Sequence, residues 1–257
     1  GTLFTAGSGN IKMVITLIFF IIGSLIGSYH FEFWANLPSF KPVSLLNVFS
    51  KINTILIQLS ALGLIYYLIS KMEFNRNNKI NHNDIISNPS HSLIRGPWPL
   101  LWGSISLVFF SFLMLQVAGH HWSVTFAFGL WGAKIASFLG VEVSSWTYWQ
   151  LEYPSTALEN SVLADPTTVS NIGIILGALI GSALSGKITK FTSVNKKLVL
   201  AAVIGGLFMG YGARLAFGCN IGALFGGIAS GSLHGWVWFL FAFLGSIVGV
   251  KFRRYFY

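Results

Sequence analysis

Charge is scarce in this chain and lopsided: 7 Asp and Glu stand against 16 Lys and Arg, and charged residues make up only 9% of 257 positions. A soluble domain carries about 25%. With 54% hydrophobic residues and a mean hydropathy of +0.69, so few polar groups cannot cover a water-facing surface, and the composition is that of an integral membrane protein. Cysteine is nearly absent as well. The one residue, Cys219, excludes a disulfide within the chain. A phosphate-binding loop is also lacking, because Gly7-Ser8-Gly9 with Lys12 has the wrong spacing for one. The net charge of +9 raises nucleic acid as a partner, but the placement of the charges argues against it. They flank apolar segments: Lys71, Arg76, Lys79 and Arg95; Lys187, Lys190, Lys196 and Lys197; Lys251, Arg253 and Arg254. That is the positive-inside pattern of a membrane protein.

Apolar runs occupy about 11–31, 52–70, 97–118, 122–140, 168–186, 198–217 and 234–250, against the roughly twenty residues a span requires. The run at 122–140 stands apart, since it holds Lys134 together with Gly129, Gly132 and Gly140. It is expected to be a short or re-entrant helix with Lys134 facing protein. Trp34, Trp98, Trp122, Trp146, Trp149 and Trp236 lie near segment ends, as in the aromatic belts at membrane surfaces. Basic loops 71–96 and 187–197 and the tail go to the cytoplasm. Loop 141–166, with Glu142, Glu152, Glu159 and Asp165 and no Lys or Arg, goes outside, together with loop 32–51.

One pattern occurs twice. Gly1-Thr-Leu-Phe4, Ser8-Gly9, Gly23-Ser24 and Gly27 return as Gly222-Ala-Leu-Phe225, Ser230-Gly231, Gly245-Ser246 and Gly249. The loop charges make the two associated spans antiparallel, as in an inverted-topology duplication. The Gly-rich stretch ahead of each span would then dip into the membrane from opposite faces, which is tolerated where backbone is enclosed by protein or lines a wet cavity. The domain reading is one transmembrane unit, 1–257, with repeat-related segments 1–31 and 210–250 and a missing N-terminal part that would hold the counterpart of Gly212–Asn220.

Cys219 is the leading candidate for function. It falls on a break between apolar runs, flanked by Gly218 and Gly222 and five residues after Arg214. A buried Cys is commonly just a small soft hydrophobe. Here, a soft S–H donor beside an Arg or a helix N-terminus suits a sulfur-containing anion. Gly218, Asn220 and Gly222 would offer backbone groups around it, and Ser8 and Gly9 mark the matching place in the first copy. Arg214 and Lys134 are the basic residues inside apolar segments; each either snorkels to the interface or faces the passage. His120 and His121 are adjacent, so they point to different faces, which fits an interfacial role better than a metal site. Glycines four apart, Gly173, Gly177 and Gly181 or Gly206 and Gly210, would let helix backbones approach closely.

Gly210-Tyr-Gly-Ala-Arg-Leu-Ala-Phe-Gly-Cys219-Asn-Ile-Gly222, with Gly226-Gly227, Ser230-Gly231 and Trp236, resembles the YeeE/YedE family of bacterial membrane proteins. Trp122-Ser-Val-Thr-Phe-Ala-Phe-Gly-Leu-Trp-Gly-Ala-Lys134 and Gly1-Thr-Leu-Phe-Thr-Ala-Gly-Ser-Gly9 share in the resemblance, and together these stretches cover about a third of the chain. The resemblance implies uptake of sulfur compounds such as thiosulfate, through an hourglass of short re-entrant helices in which cysteines relay the ion by S–H hydrogen bonds. It also implies a cysteine just before Gly1, which this sequence does not include. A cytosolic sulfur-carrier protein is a candidate partner, and some relatives are linked to selenium.

The expectation is therefore an all-α integral membrane protein, a polytopic helical bundle with inverted repeats and short re-entrant helices, in a bacterial inner membrane with its C-terminus cytoplasmic. It would act as a permease for a small sulfur anion, with the lipid bilayer as its surroundings, no cofactor and no enzymatic reaction. The rival readings are a passive small-anion channel, a selenium-compound transporter, an intramembrane thiol redox enzyme, which would need a second cysteine or a cofactor site, and a purely structural subunit.

Overall fold

The computed structural model describes residues 1–39, 41–77, 99–186 and 195–256. Lys79, Arg95, Trp98, Lys187 and Lys190 lie outside the described residues. Among the described residues the protein is all-α, with one isolated antiparallel bridge between Ser44 and Ser232. In chain order the helices are α1 (Thr2–Gly7), α2 (Ile11–Tyr29), α3 (Phe31–Ala35), α4 (Leu45–Val48), α5 (Lys51–Asn77), α6 (Leu100–Ala118), α7 (Thr125–Phe138), α8 (Glu152–Glu159), α9 (Pro166–Leu184), α10 (Lys196–Leu215), a π-helical turn (Asn220–Phe225) that runs on into α11 (Gly226–Ala229), and α12 (Leu233–Arg253). Among the described residues, six stretches are long and apolar enough to cross a membrane: Ile11–Tyr29, Lys51–Arg76, Leu100–Ala118, Pro166–Leu184, Lys196–Ala229 and Leu233–Arg253. The apolar run at 122–140 gives only the 14 residues of α7. At 1.5 Å per residue that is about 21 Å, short of the roughly 30 Å hydrocarbon core.

Helix starts follow from polar residues beside apolar runs. Asn10 caps α2 by accepting from Lys12 N and Met13 N. Asp165 caps α9, with Pro166 as its first residue, Asn195 caps α10 and Ser232 caps α12. Each side chain satisfies an N–H that the helix cannot.

The centre of the molecule is the pair α2–α10. A Cβ built on Gly206 would lie 2.5 Å from Thr16 O, one on Gly210 2.0 Å from Phe20 O, and one on Gly23 2.2 Å from Leu207 O. Gly27 faces Arg214 and Tyr211. Residue numbers rise together along both helices, so the two run parallel, with backbones in direct contact through glycine. Gly206 and Gly210 therefore do what their spacing predicts. Gly173, Gly177 and Gly181 do not: no atom lies within 4 Å of a Cβ at any of them.

The two copies of the repeated pattern share one local geometry. Gly9 at φ +92° and Gly231 at φ +70° each end a short helix in the left-handed region. Gly9 N donates to Ala6 O and Asn10 N to Thr5 O; correspondingly, Gly231 N donates to Ile228 O and Ser232 N to Gly227 O. This is the paired 5→2 and 6→1 bonding of a Schellman motif, and in both copies the next residue caps a long helix. The surroundings differ: Gly23 and Gly27 of α2 press on α10, whereas Gly245 and Gly249 of α12 meet nothing within 4 Å.

One expectation about the outer region is corrected. Trp149 is not a belt residue: it is 1% exposed in a core cluster with Leu130, Ala133 and Tyr148, and its indole N–H donates to Ser28 Oγ at 3.2 Å. Asp165, in the same loop, is buried: it is 4% exposed and accepts from Thr168 N and Thr168 Oγ1, both at 2.8 Å, and from Tyr153 OH at 2.9 Å. The capping duty at α9 draws this carboxylate inward, and its hydrogen bonds to Tyr153 and Thr168 tie α8 to α9. Burial and that bond to Asp165 push the Tyr153 hydroxyl pKa upward.

Candidate functional site

The longest apolar helical stretch is interrupted at Ala216–Cys219, and the interruption is built from unusual backbone. Phe217 has φ +52°, the one positive value at a non-glycine residue among the described residues. Such a conformation costs of order 1–3 kcal/mol and gathers at functional sites. Gly218 follows at φ +156°, and a Cβ there would fall 2.6 Å from Ala223 N, so only glycine fits. Cys219 then starts the next helical run. Its carbonyl accepts from both Ala223 N at 2.8 Å and Leu224 N at 3.2 Å, the wide bonding of a π turn, a feature frequent at functional positions. The N–H groups of Asn220, Ile221 and Gly222 precede that first bond and are left out of the ladder.

The Cys219 side is half-buried, Gly218 and Gly222 are buried, and Asn220 is exposed. Ser123 Oγ approaches Gly222, lying 3.8 Å from where its Cβ would be, and the His121 ring approaches Gly226 at 2.9 Å on the same measure. Partial burial and the neighbouring His120 hold the His121 imidazole below its ordinary pKa. Ile221 packs on an apolar cluster that also takes Leu3 from α1 and Val124, with Trp122, from the start of α7. The same cluster takes Phe20, Phe128 and Ala213 from the interiors of α2, α7 and α10, so the π turn is anchored through Ile221 on the packed core.

Arg214 does not join them. Its side chain, 5% exposed, turns into a cage. Nη1 donates to Tyr148 OH and Nη2 donates to Ser24 Oγ at 3.0 Å. The guanidinium carbon lies 4.4 Å from the Tyr148 ring centre and about 6 Å from those of Phe126 and Trp149. Gly129 makes the room, since a Cβ there would sit 1.5 Å from Nη2. The charge is held by hydroxyls and aromatic faces rather than by a carboxylate, and Nε is buried without a partner. Snorkelling, the alternative weighed for this residue, is not what it does.

Lys134 does not join them either. Its ammonium donates to Leu158 O and, at 2.7 Å, to Asn160 O, closing the C-terminal end of α8, where a cation complements the helix dipole. Ser8 is buried, and its hydroxyl donates to Thr5 O at 2.8 Å; beside it Gly9 completes the α1 cap. Of the predicted site residues, the structure therefore gathers Gly218, Cys219, Asn220 and Gly222, and uses Arg214, Lys134, Ser8 and Gly9 to hold elements in place. The approach of Ser123 to Gly222 and of His121 to Gly226 was not foreseen; only the position of these residues just ahead of the glycine-rich α7 pointed to them.

A multi-pass α-helical protein whose crossing helix breaks at strained backbone and restarts at a thiol has the build of a membrane transporter, since such backbone survives at depth only where protein or a cavity encloses it. A family model described as "Sulphur transport" matches residues 1–248. The chain belongs to that family, the YeeE/YedE transporters. It is 31% identical over 136 residues to the probable transporter YedE of Escherichia coli (strain K12), a match covering 53% of this chain and 33% of that protein. The corresponding protein of Salmonella typhimurium is 32% identical over the same length. The thiosulfate transporter TsuA of Spirochaeta thermophila is 39% identical over 85 residues, 32% of this chain and 26% of that protein. The matched part thus spans about a third or less of each relative. No solved structure matches the chain.

Proposed function

We propose that the chain carries a small sulfur anion, thiosulfate, across a bacterial inner membrane, and that Cys219 receives the ion. The observation that carries this reading is the break in the crossing helix, with Phe217 at φ +52° and a glycine-only Gly218, directly ahead of a half-buried thiol at the start of a helical run. The N–H groups at a helix start favour an anion. A thiol can donate S–H to it, and the sulfur is soft and polarisable, as is the terminal sulfur of thiosulfate. A neighbouring thiolate would repel the ion, so the donor form is the working one. TsuA, named a thiosulfate transporter, supports this choice of substrate. The basic tail Lys251, Arg253 and Arg254 supports a cytoplasmic C-terminus, with a sulfur-carrier protein on that side to accept the ion.

The test is growth on thiosulfate as sulfur source in cells relying on this protein. Cys219→Ala removes the donor and should abolish growth at unchanged protein abundance in the membrane. Cys219→Ser keeps a donor but replaces soft sulfur with hard oxygen, and should grow poorly. Parental growth with Cys219→Ala would remove Cys219 from the pathway and the substrate assignment with it.

A further inference from the structure

The segment that carries Cys219 is held from its far end. Residues Asn220–Phe225 and Gly226–Ala229 form one uninterrupted helical piece, so movement at one end is passed to the other. Cys219 caps its start, and Gly231 closes its end. The loop that follows α3 reaches across to that closing turn. Leu45 N donates to Gly231 O at 2.8 Å, and Leu233 N donates to Val43 O at 3.1 Å, which makes Ser44 and Ser232 a bridged pair. Leu46 lies against Gly231, its Cγ 3.0 Å from where a Cβ would be, with the Thr54 methyl 3.5 Å from the same point. Thr54, 2% exposed on an otherwise exposed helix α5, donates its hydroxyl to Leu45 O at 3.0 Å. The hydrogen bonds form one relay: Thr54 holds Leu45, Leu45 holds Gly231, and Gly231 ends the helical piece that starts at Cys219.

We propose that Thr54 and the strap Val43–Leu46 are positioning elements that fix the Cys219 turn from outside. The inference rests on the reading of Cys219 as the ion's contact, yet its own readout does not depend on transport. An isolated buried threonine on an exposed helix has no packing reason to be polar. A valine has almost the same shape and would fill the place, so what threonine adds is the bond to Leu45. The half-buried Leu45 carbonyl accepts from Phe49 N at 2.8 Å as well as from Thr54; removing the Thr54 donor takes away the bond that ties it to α5, and the strap should loosen from Gly231.

The experiment is maleimide labelling of Cys219 in native membranes, read by mass spectrometry on the peptide that carries it, beside uptake of radiolabelled thiosulfate. Thr54→Val should raise the labelling rate about fivefold, the population change expected from loss of one ordinary hydrogen bond, and should lower uptake at equal protein abundance. Thr54→Ser, which keeps the hydroxyl, should restore both. If Thr54→Val does not accumulate, Leu46→Ala loosens the strap by another route and should give the same rise. Labelling at the parental rate in the variant that accumulates overturns the inference, whatever uptake does. Faster labelling with parental uptake upholds the positioning role and counts against Cys219 as the ion's contact.

Discussion

A guanidinium without a carboxylate is an expensive group to bury, and Arg214 is affordable only because each contact in its cage is fitted to it. Tyr148→Phe keeps the ring face and removes the hydroxyl that accepts from Nη1. It should destabilise the protein by about 1–3 kcal/mol, the cost of a buried donor left unmet, seen as a lower thermal midpoint in detergent. Gly129→Ala should cost more, since its methyl would occupy the place of Nη2 and well-packed interiors resist added atoms. A midpoint unchanged in both variants would show that the guanidinium has another place to go. None of this could be read from the sequence. Ser24 lies 190 positions from Arg214 and Tyr148 lies 66, and nothing in the local pattern around Arg214 separates a cage from a pathway. Cys219 was legible because the signal was local: a thiol between glycines at the end of an apolar run.

At the level of elements, the apolar runs foretold the helices closely, because twenty apolar residues in lipid have no other way to satisfy their backbone. The repeat pointed to antiparallel spans and dipping loops and not to the turn itself; the Schellman ending shared by Gly9 and Gly231 follows from a glycine free to take the left-handed conformation at the end of each short helix. What the sequence left open was which glycines touch a neighbour. Gly177 and Gly210 look equivalent in sequence, but only Gly210 meets another backbone. Gly210→Ala should therefore separate α2 from α10 and lower the amount of folded protein in the membrane. Gly177→Ala should leave it equal or slightly higher, since alanine favours helix by up to about 1 kcal/mol. Immunoblots of membrane fractions, with thermal midpoints in detergent, decide between them. Equal behaviour of the two variants would contradict the close approach.

Across the whole molecule, the parallel pairing of α2 and α10 fits the threading of the spans from loop charge, in which both leave the cytoplasm. Under that threading, alkaline phosphatase fused after Asn36 should be active outside and the same enzyme fused at Tyr257 inactive; the reverse result would invert the topology. The strap from Val43 to Leu46 and the clamp of Lys134 on α8 were beyond the sequence, because each joins partners whose meeting depends on the finished fold.

The α2–α10 pair also has a consequence for biogenesis. Its halves are separated by roughly 170 residues of chain. At synthesis rates of about 5–20 residues per second, α2 enters the bilayer on the order of ten to thirty seconds before its partner exists. Through that interval the face of Gly23 and Gly27 has only lipid, or a chaperone of the insertion machinery, to lie against. Nascent chains arrested before Lys196 should crosslink from α2 to such a helper, and chains arrested after Ala229 should not.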